Sequence, residues 1–282
     1  MKPELSLILP ANNEAAHMDA CLSAVLASAP LPGNGSSQII VIPNGCTDET
    51  ADIARRFENP LKVKGWSLEV IELTVGSKLA ALNAGDAAAR ADVLAYLDAD
   101  VIVSADLLAE TVAALHHEAP AYASGQVRLT RSKSRVTRAY ATFYLQTPFM
   151  KQNAPGCGFF AMNRAGRARW AEWPAIISDD TYARLNFAPD ERIEVSASYE
   201  WPLVEGLTNL IKVRRRQNAG VTELEAKFPA LTKNDAKLKF TPLAVLQAVM
   251  RHPIGTLIYG LVSVTVKLRP DKIDARCNRV TS

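Results

Sequence analysis

Val93-Leu94-Ala95-Tyr96-Leu97-Asp98-Ala99-Asp100 is an apolar run that ends abruptly in two carboxylates. A short apolar run closed by charge reads as a buried strand of a parallel sheet, emerging where ligands bind. Side chains alternate across a strand, so Asp98 and Asp100 are expected to point the same way. Two carboxylates held together at a sheet edge repel one another unless a cation or ligand donors hold them. The plainer alternative is a pair of solvated acids that opens the next turn or caps a helix over residues 105–115.

Outward from this stretch the chain alternates. Leu5-Ser6-Leu7-Ile8-Leu9-Pro10 reads as a strand running into the polar loop Ala11-Asn12-Asn13-Glu14. Met18, Cys21, Leu22, Val25 and Leu26 then recur at helical spacing. Gln38-Ile39-Ile40-Val41-Ile42 is a second strand, closed by Pro43-Asn44-Gly45-Cys46. Thr47 or Asp48 is placed to cap a helix through Arg56. Residues 68–73 predict a third strand and residues 77–90 an alanine-rich helix before the stretch above. Strands alternating with helices imply a mainly parallel, Rossmann-like sheet with right-handed crossovers. Ligands of such sheets sit beyond the carboxyl ends of the strands, where Asn12-Asn13-Glu14, Pro43-Asn44-Gly45 and Asp98-Ala99-Asp100 would converge.

Composition narrows the class. With 282 residues, 48% hydrophobic and 22% charged, the chain can bury a large core. A net charge of +3 does not argue for nucleic acid. Cys21, Cys46, Cys157 and Cys277 lack metal-ligand spacing and read as free thiols of a reducing compartment. The first residues do not read as a secretion signal, so a cytoplasmic location is expected. No Gly-x-Gly-x-x-Gly or Gly-Lys-Ser/Thr loop is present, so phosphate needs another partner. A hard divalent cation such as Mg²⁺ on Asp100 would supply one.

The second half is less regular. Arg128, Arg131, Lys133, Arg135 and Arg138 read as a solvated basic face. Gly156 and Gly158 stand where backbone can approach a ligand closely. Ser178-Asp179-Asp180 reads either as a second functional acidic pair or as a capped helix start with acids in its first turn. Lys212-Val213-Arg214-Arg215-Arg216-Gln217 is either surface or a diphosphate contact.

In order and spacing these pieces resemble the family 2 glycosyltransferases, with the GT-A fold, over roughly residues 5–220. The resemblance rests on Leu7-Ile8-Leu9-Pro10-Ala11-Asn12-Asn13-Glu14 and on Pro43-Asn44-Gly45-Cys46-Thr47-Asp48. It extends through Lys78-Leu79-Ala80-Ala81-Leu82-Asn83-Ala84-Gly85, Asp98-Ala99-Asp100, Gly156-Cys157-Gly158-Phe159-Phe160 and Ser178-Asp179-Asp180. It implies that Pro10, Asn13, Glu14, Asn44, Lys78 and Asp98 hold a nucleotide-diphosphate sugar, with Mn²⁺ or Mg²⁺ on Asp100. It also implies Asp180 as general base of an inverting transfer, with Gly156, Gly158 and Asp179 on the acceptor side. Arg214 or Arg216 would stand near the diphosphate. The acceptor would be a saccharide or lipid-linked hydroxyl of the kind built into cell-surface polysaccharide or glycolipid. Asn44 stands where many members carry an acid, so its amide would read the base edge. Val213 stands where the Gln of the processive Gln-x-x-Arg-Trp motif would fall, which implies single transfers.

Residues 1–226 would form this domain, with a donor half to about residue 103 and an acceptor half after it. Residues 227–239 read as a linker or exposed helix. Two apolar segments follow, separated by Arg251-His252-Pro253, each short of the ~20 residues that span a bilayer. They would either pack as a helical hairpin or attach to a membrane surface through residues 240–270, with Lys267, Arg269 and Lys272 near anionic head groups. Two other readings compete: an inactive nucleotide-sugar-binding relative, and a Mg²⁺-dependent phosphohydrolase of the haloacid dehalogenase type. The latter lacks its Thr, since Val101 and Ile102 follow the acidic pair.

Overall fold

A computed structural model describes residues 2–235 and 240–268. Cys277, Arg269 and Lys272 lie outside the described residues. The first half runs β1 (Leu5–Ala11), α1 (Ala15–Leu26), β2 (Ser37–Pro43), α2 (Thr50–Arg55), α3 (Glu58–Val63), β3 (Ser67–Val70), α4 (Lys78–Ala88) and β4 (Val93–Leu97). The second half runs β5 (Ile102–Val103), α5 (Leu107–Leu115), β6 (Tyr122–Leu129), α6 (Arg135–Tyr144), β7 (Phe159–Asn163), α7 (Arg164–Arg167), α8 (Asp179–Leu185), β8 (Arg192–Trp201) and α9 (Leu207–Lys227). α10 (Pro242–Arg251) and α11 (Pro253–Leu268) close the described chain.

One eight-stranded sheet, ordered β3-β2-β1-β4-β7-β6-β8-β5, carries both halves. β3, β2, β1 and β4 are parallel neighbours, with Leu7 opposite both Ile39 and Ala95. Beyond β4 the sheet becomes mixed, because β7 runs antiparallel to both β4 and β6.

The continuous apolar runs follow from burial on two faces. Leu5, Leu7 and Leu9 join Met18, Leu22 and Val25 of α1 in one core. Ile8, Ile40 and Tyr96 point the other way, onto Ala81 and Leu82 of α4 and the rings of Trp173 and Tyr182. Ser77 caps α4, its side chain accepting the Ala80 N–H.

The sheet's carboxyl edge is where the sequence placed it, but Asp98-Ala99-Asp100 is a turn, since β4 ends at Leu97. The Val101 N–H bonds the Asp98 carbonyl at 3.1 Å, so turn geometry rather than strand alternation sets the two carboxylates. The acids cap no helix; Asp106 holds the N-cap position of α5. Of the stretch read as a linker or exposed helix over residues 227–239, the described part, residues 227–235, is mostly helical. α9 runs to Lys227, and Phe228 packs its ring 5.0 Å from that of Tyr182. Apolar side chains at Leu224, Phe228 and Leu231 draw this stretch onto the core, which therefore extends past residue 226.

Candidate active site

The crevice is built from strand-end loops. Asn13 takes a left-handed turn (φ 57°), and its side-chain oxygen accepts the Thr47 N–H at 2.8 Å. Asp48, expected at the start of a helix, receives the Ala15 N–H and the Thr50 N–H, each at 3.1 Å. It thereby closes the first turns of α1 and α2 together. Asn44 is only 3% exposed. Its amide donates to the carbonyls of Ala11 (2.8 Å) and Ile42 (3.2 Å) and accepts the Ser77 N–H at 3.0 Å. Both of its N–H bonds are therefore committed to backbone, which corrects the expectation that this amide reads a base edge. Asn44 joins the ends of β1 and β2 to the start of α4 instead.

The acids gather beyond β1 and β4. Burial, then the charges of Asp100, Asp98 and Asp48, raise Glu14 from the usual carboxylate range to about 7. Burial and then Asp98 raise Asp100 to about 7 as well. Glu14 Oε2 is buried with no hydrogen-bond partner. Pro10, Leu82, Tyr96 and Phe160 line a small pocket beside Lys78, Asp98, Gly158, Asp179 and Asp180.

Lys78, at the first position of α4, joins the two sides. Its Nζ lies 2.9 Å from Asp98 Oδ1 and 3.0 Å from Asp179 Oδ2. Burial alone would lower its pKa, but the charges of Asp179 and Asp98 hold it well above the ordinary lysine value. No local signal announced the link to Asp179, which is made across the fold.

Across the crevice α8 begins at Asp179, as the capped-helix reading has it, although the Ser178 side chain makes no capping bond. That hydroxyl faces α9, where a Cβ on Gly220 would lie 2.1 Å from its oxygen. Asp179 is buried, and Asp180 is half-buried with its Oδ1 accepting the Thr181 N–H at 2.6 Å. Burial and then Asp179 raise the Asp180 carboxyl, while Lys78 draws it back down.

Gly156 and Gly158 are both left-handed (φ 74° and 78°). What approaches them is the protein itself: a Cβ on Gly156 would sit 1.8 Å from Tyr122 Oη, and one on Gly158 2.7 Å from Val101 Cγ2. The Gly158 carbonyl accepts the Asp98 N–H at 2.8 Å, so this segment fixes the acidic turn.

Arg214 donates to Tyr259 Oη at 3.1 Å, and Arg216 is exposed on α9. Arg128, Arg131, Lys133 and Arg135 form an exposed basic run, as read from the sequence, whereas Arg138, read with them, is half-buried and donates to the Ser132 and Lys133 carbonyls. Sequence reasoning missed a buried hub under the crevice. Asp86 accepts from Arg167 Nε (2.8 Å), Trp173 Nε1 (2.7 Å) and Tyr96 Oη (2.6 Å).

A carboxylate cluster able to meet a cation thus faces a second acidic pair able to take a proton, with one lysine between them. The family model Glycosyl transferase family 2 matches residues 6–172. Validoxylamine A glucosyltransferase of Streptomyces hygroscopicus subsp. limoneus is 31% identical over 119 residues, covering 42% of this chain and 25% of that protein. The chain thus spans about a quarter of the length of that curated relative. The mannosyltransferase PcManGT from Pyrobaculum calidifontis, solved with GDP-Man and Mn²⁺, superposes with a TM-score of 0.59 at 17% identity, over 98% of this chain and 78% of that one. Glucosyl-3-phosphoglycerate synthase from Mycobacterium tuberculosis, solved with Mg²⁺ and UDP, gives 0.50 at 20% identity, over 80% and 79%. The architecture is that of GT-A glycosyltransferases.

Proposed function

Because the chain belongs to glycosyl transferase family 2, we propose that it moves a sugar from a nucleotide-diphosphate donor to an acceptor hydroxyl by one inverting displacement. The observation that carries this reading is the Asp98–Lys78–Asp179 bridge. It sets the acidic turn of the donor side against the start of α8.

Mn²⁺ or Mg²⁺ fits the donor set. Asp98 and Asp100 offer hard oxygens, and Glu14 Oε2 is buried without a partner. Among the described residues no three His, Cys, Asp or Glu side chains form a metal-binding group of their own. Such cations take one or two protein carboxylates and complete their shell with substrate phosphate and water. Asp100 would hold the ion, with Asp98 turned to the ribose or sugar. When bound there, the cation would neutralise charge that develops on the departing diphosphate.

The chain's own groups do the rest. Asp180 as carboxylate takes the acceptor hydroxyl proton while the oxygen forms its bond to the anomeric carbon. The bond from that carbon to the diphosphate oxygen breaks on the opposite face, and the electron pair leaves with the nucleoside diphosphate. Asp179 and the Gly156–Gly158 segment orient the acceptor, and Asn13, Pro10 and Lys78 the donor. Arg214 would exchange its Tyr259 bond for a diphosphate oxygen, with Arg216 beside it on the same helix. In this reading the acceptor is a saccharide or lipid-linked hydroxyl used in cell-surface polysaccharide or glycolipid synthesis, and the enzyme works in the cytoplasm, making single transfers.

The family match favours neither the phosphohydrolase nor the inactive relative. The test is incubation with nucleotide-diphosphate sugars and Mn²⁺ or Mg²⁺, with and without saccharide acceptors, followed by NMR of the product anomer. Inverted product is expected. A retained anomeric configuration would overturn the single displacement, and absence of sugar release from every donor would favour the inactive relative.

A further inference from the structure

α11 is apolar on two faces and covered on one. Gly255, Val262 and Val266 are buried, with Val262 and Val266 packed among Tyr140, Tyr144 and Leu210. The approach to α6 is close, since a Cβ on Gly255 would lie 2.4 Å from Thr142 Oγ1. On the other side Ile254, Leu257, Leu261, Val264 and Leu268 recur at helical spacing and face outward, Leu257 at 74% exposure and Leu268 at 77%. α10 adds Leu246 and Met250, the latter 75% exposed. Elsewhere among the described residues the exposed large apolar side chains are Val63, Val75, Leu145 and Val221, from separate parts of the chain. Single residues of that kind are normal on a protein surface, whereas a continuous apolar stripe marks an interaction site.

The two helices are bent by 119° at the His252-Pro253 break. No single described helix is long and apolar enough to cross a membrane. Charge decides what suits the stripe. No Asp or Glu occurs from residue 236 to residue 270, while Lys237, Lys239, Arg251, Lys267 and Arg269 do. Arg251 is exposed at the elbow and Lys267 near the end of α11. A two-fold contact between copies would set this basic group against itself, with no carboxylate on either helix to neutralise it. Lipid phosphates would neutralise it, and an interfacial helix joins an apolar stripe to flanking lysine and arginine in this way.

We infer that α10 and α11 form a docking face for an anionic lipid surface, lying in the headgroup region without crossing the bilayer. This inference does not rest on the reaction proposed above.

The full chain is to be sedimented with vesicles of phosphatidylcholine alone and with about 30% phosphatidylserine, at low and at high salt. Wild type is expected to pellet with the anionic vesicles and to be released by salt. Leu257→Asp with Leu261→Asp should reduce its partitioning at least about tenfold. Arg251→Glu with Lys267→Glu should weaken binding to the anionic vesicles selectively. Both variants should keep wild-type circular dichroism and nucleotide binding, because the changed side chains are exposed. Three results would overturn the proposal: a full chain left in the supernatant at low salt, equal pelleting of wild type and variants, or a dimer by light scattering that the double Asp variant splits.

Discussion

Lys78 Nζ lies 3.0 Å from Asp179 Oδ2, so the first residue of α4 is tied to the first residue of α8. The same ammonium lowers the neighbouring Asp180 carboxyl, against burial and Asp179, which raise it. With Asp180 as the proposed base, which works as its carboxylate, the rate is expected to fall as pH drops through the Asp180 value in the folded enzyme. Removing Lys78 removes the lowering influence. Lys78→Met should therefore shift the acid limb of kcat to higher pH at saturating donor, and Asp179→Asn should shift it to lower pH. An unmoved limb in both variants would mean that Asp180 is not the group being titrated.

Asp100→Asn tests the cation site without touching the base. Calorimetric titration of a nucleoside diphosphate should show a gain in affinity on adding Mn²⁺ for wild type and none for the variant. The fold should be retained, because Asp100 is half-buried at a turn. Undiminished metal-dependent binding would reassign the ion to other carboxylates.

Asp180→Asn should keep donor affinity and lose about 10²–10⁴ in transfer rate, the usual contribution of a positioned base. Asp179→Asn should lose less, since Asp179 is buried against Lys78 and in the proposed mechanism orients the acceptor. The reverse ranking in single-turnover rates would exchange the two roles.

Gly156 tests the packing under the crevice. At φ 74°, with Tyr122 Oη in the space a methyl would need, Gly156→Ala should destabilise by at least about 2 kcal/mol. Tyr122 Oη is buried without a hydrogen-bond partner, so Tyr122→Phe should be nearly neutral. The double variant should recover part of the loss in urea melts, and strictly additive effects would show that the hydroxyl is not the obstacle.

Asp86→Ala should cost about 3–5 kcal/mol, because it leaves the Arg167 guanidinium buried with its charge unpaired. A loss near 1 kcal/mol in the same melts would mean that water or the Trp170 and Ala171 carbonyls suffice for Arg167.

β1, β2 and β4 were legible because strands buried on both faces write themselves as unbroken apolar runs. β8 was passed over, although its ten residues alternate polar and apolar side chains from Arg192 to Trp201, which is the period of a strand. The start of α8 was legible from local chemistry, and α4 from its alanine-rich run, while the Ser77 cap went unread. The strand was read too far at Asp98-Ala99-Asp100, because a period-two rule was carried three residues past Leu97, where β4 ends. Asn44 and Asp86 were beyond local reading. Asn44's partners are backbone atoms of three elements, and Asp86 sits in an alanine-rich helix as a surface residue would. The exposed stripe of α11 was ambiguous for a related reason: a helix apolar all round does not say which face its neighbours cover.

β4 is also the seam where parallel pairing gives way to antiparallel, and Leu97 opposite Phe159 is its last rung. The hydrogen bond from the Asp98 N–H to the Gly158 carbonyl continues that ladder into the loop. A one-residue insertion within β7 would swap its inward and outward side chains and carry the Gly158 carbonyl away from the acidic turn. Diversification of the second half is thereby channelled. Loops beyond the sheet are free to lengthen, while the spacing from Gly158 to Asn163 behaves as a fixed gauge for the acidic turn after the neighbouring strand.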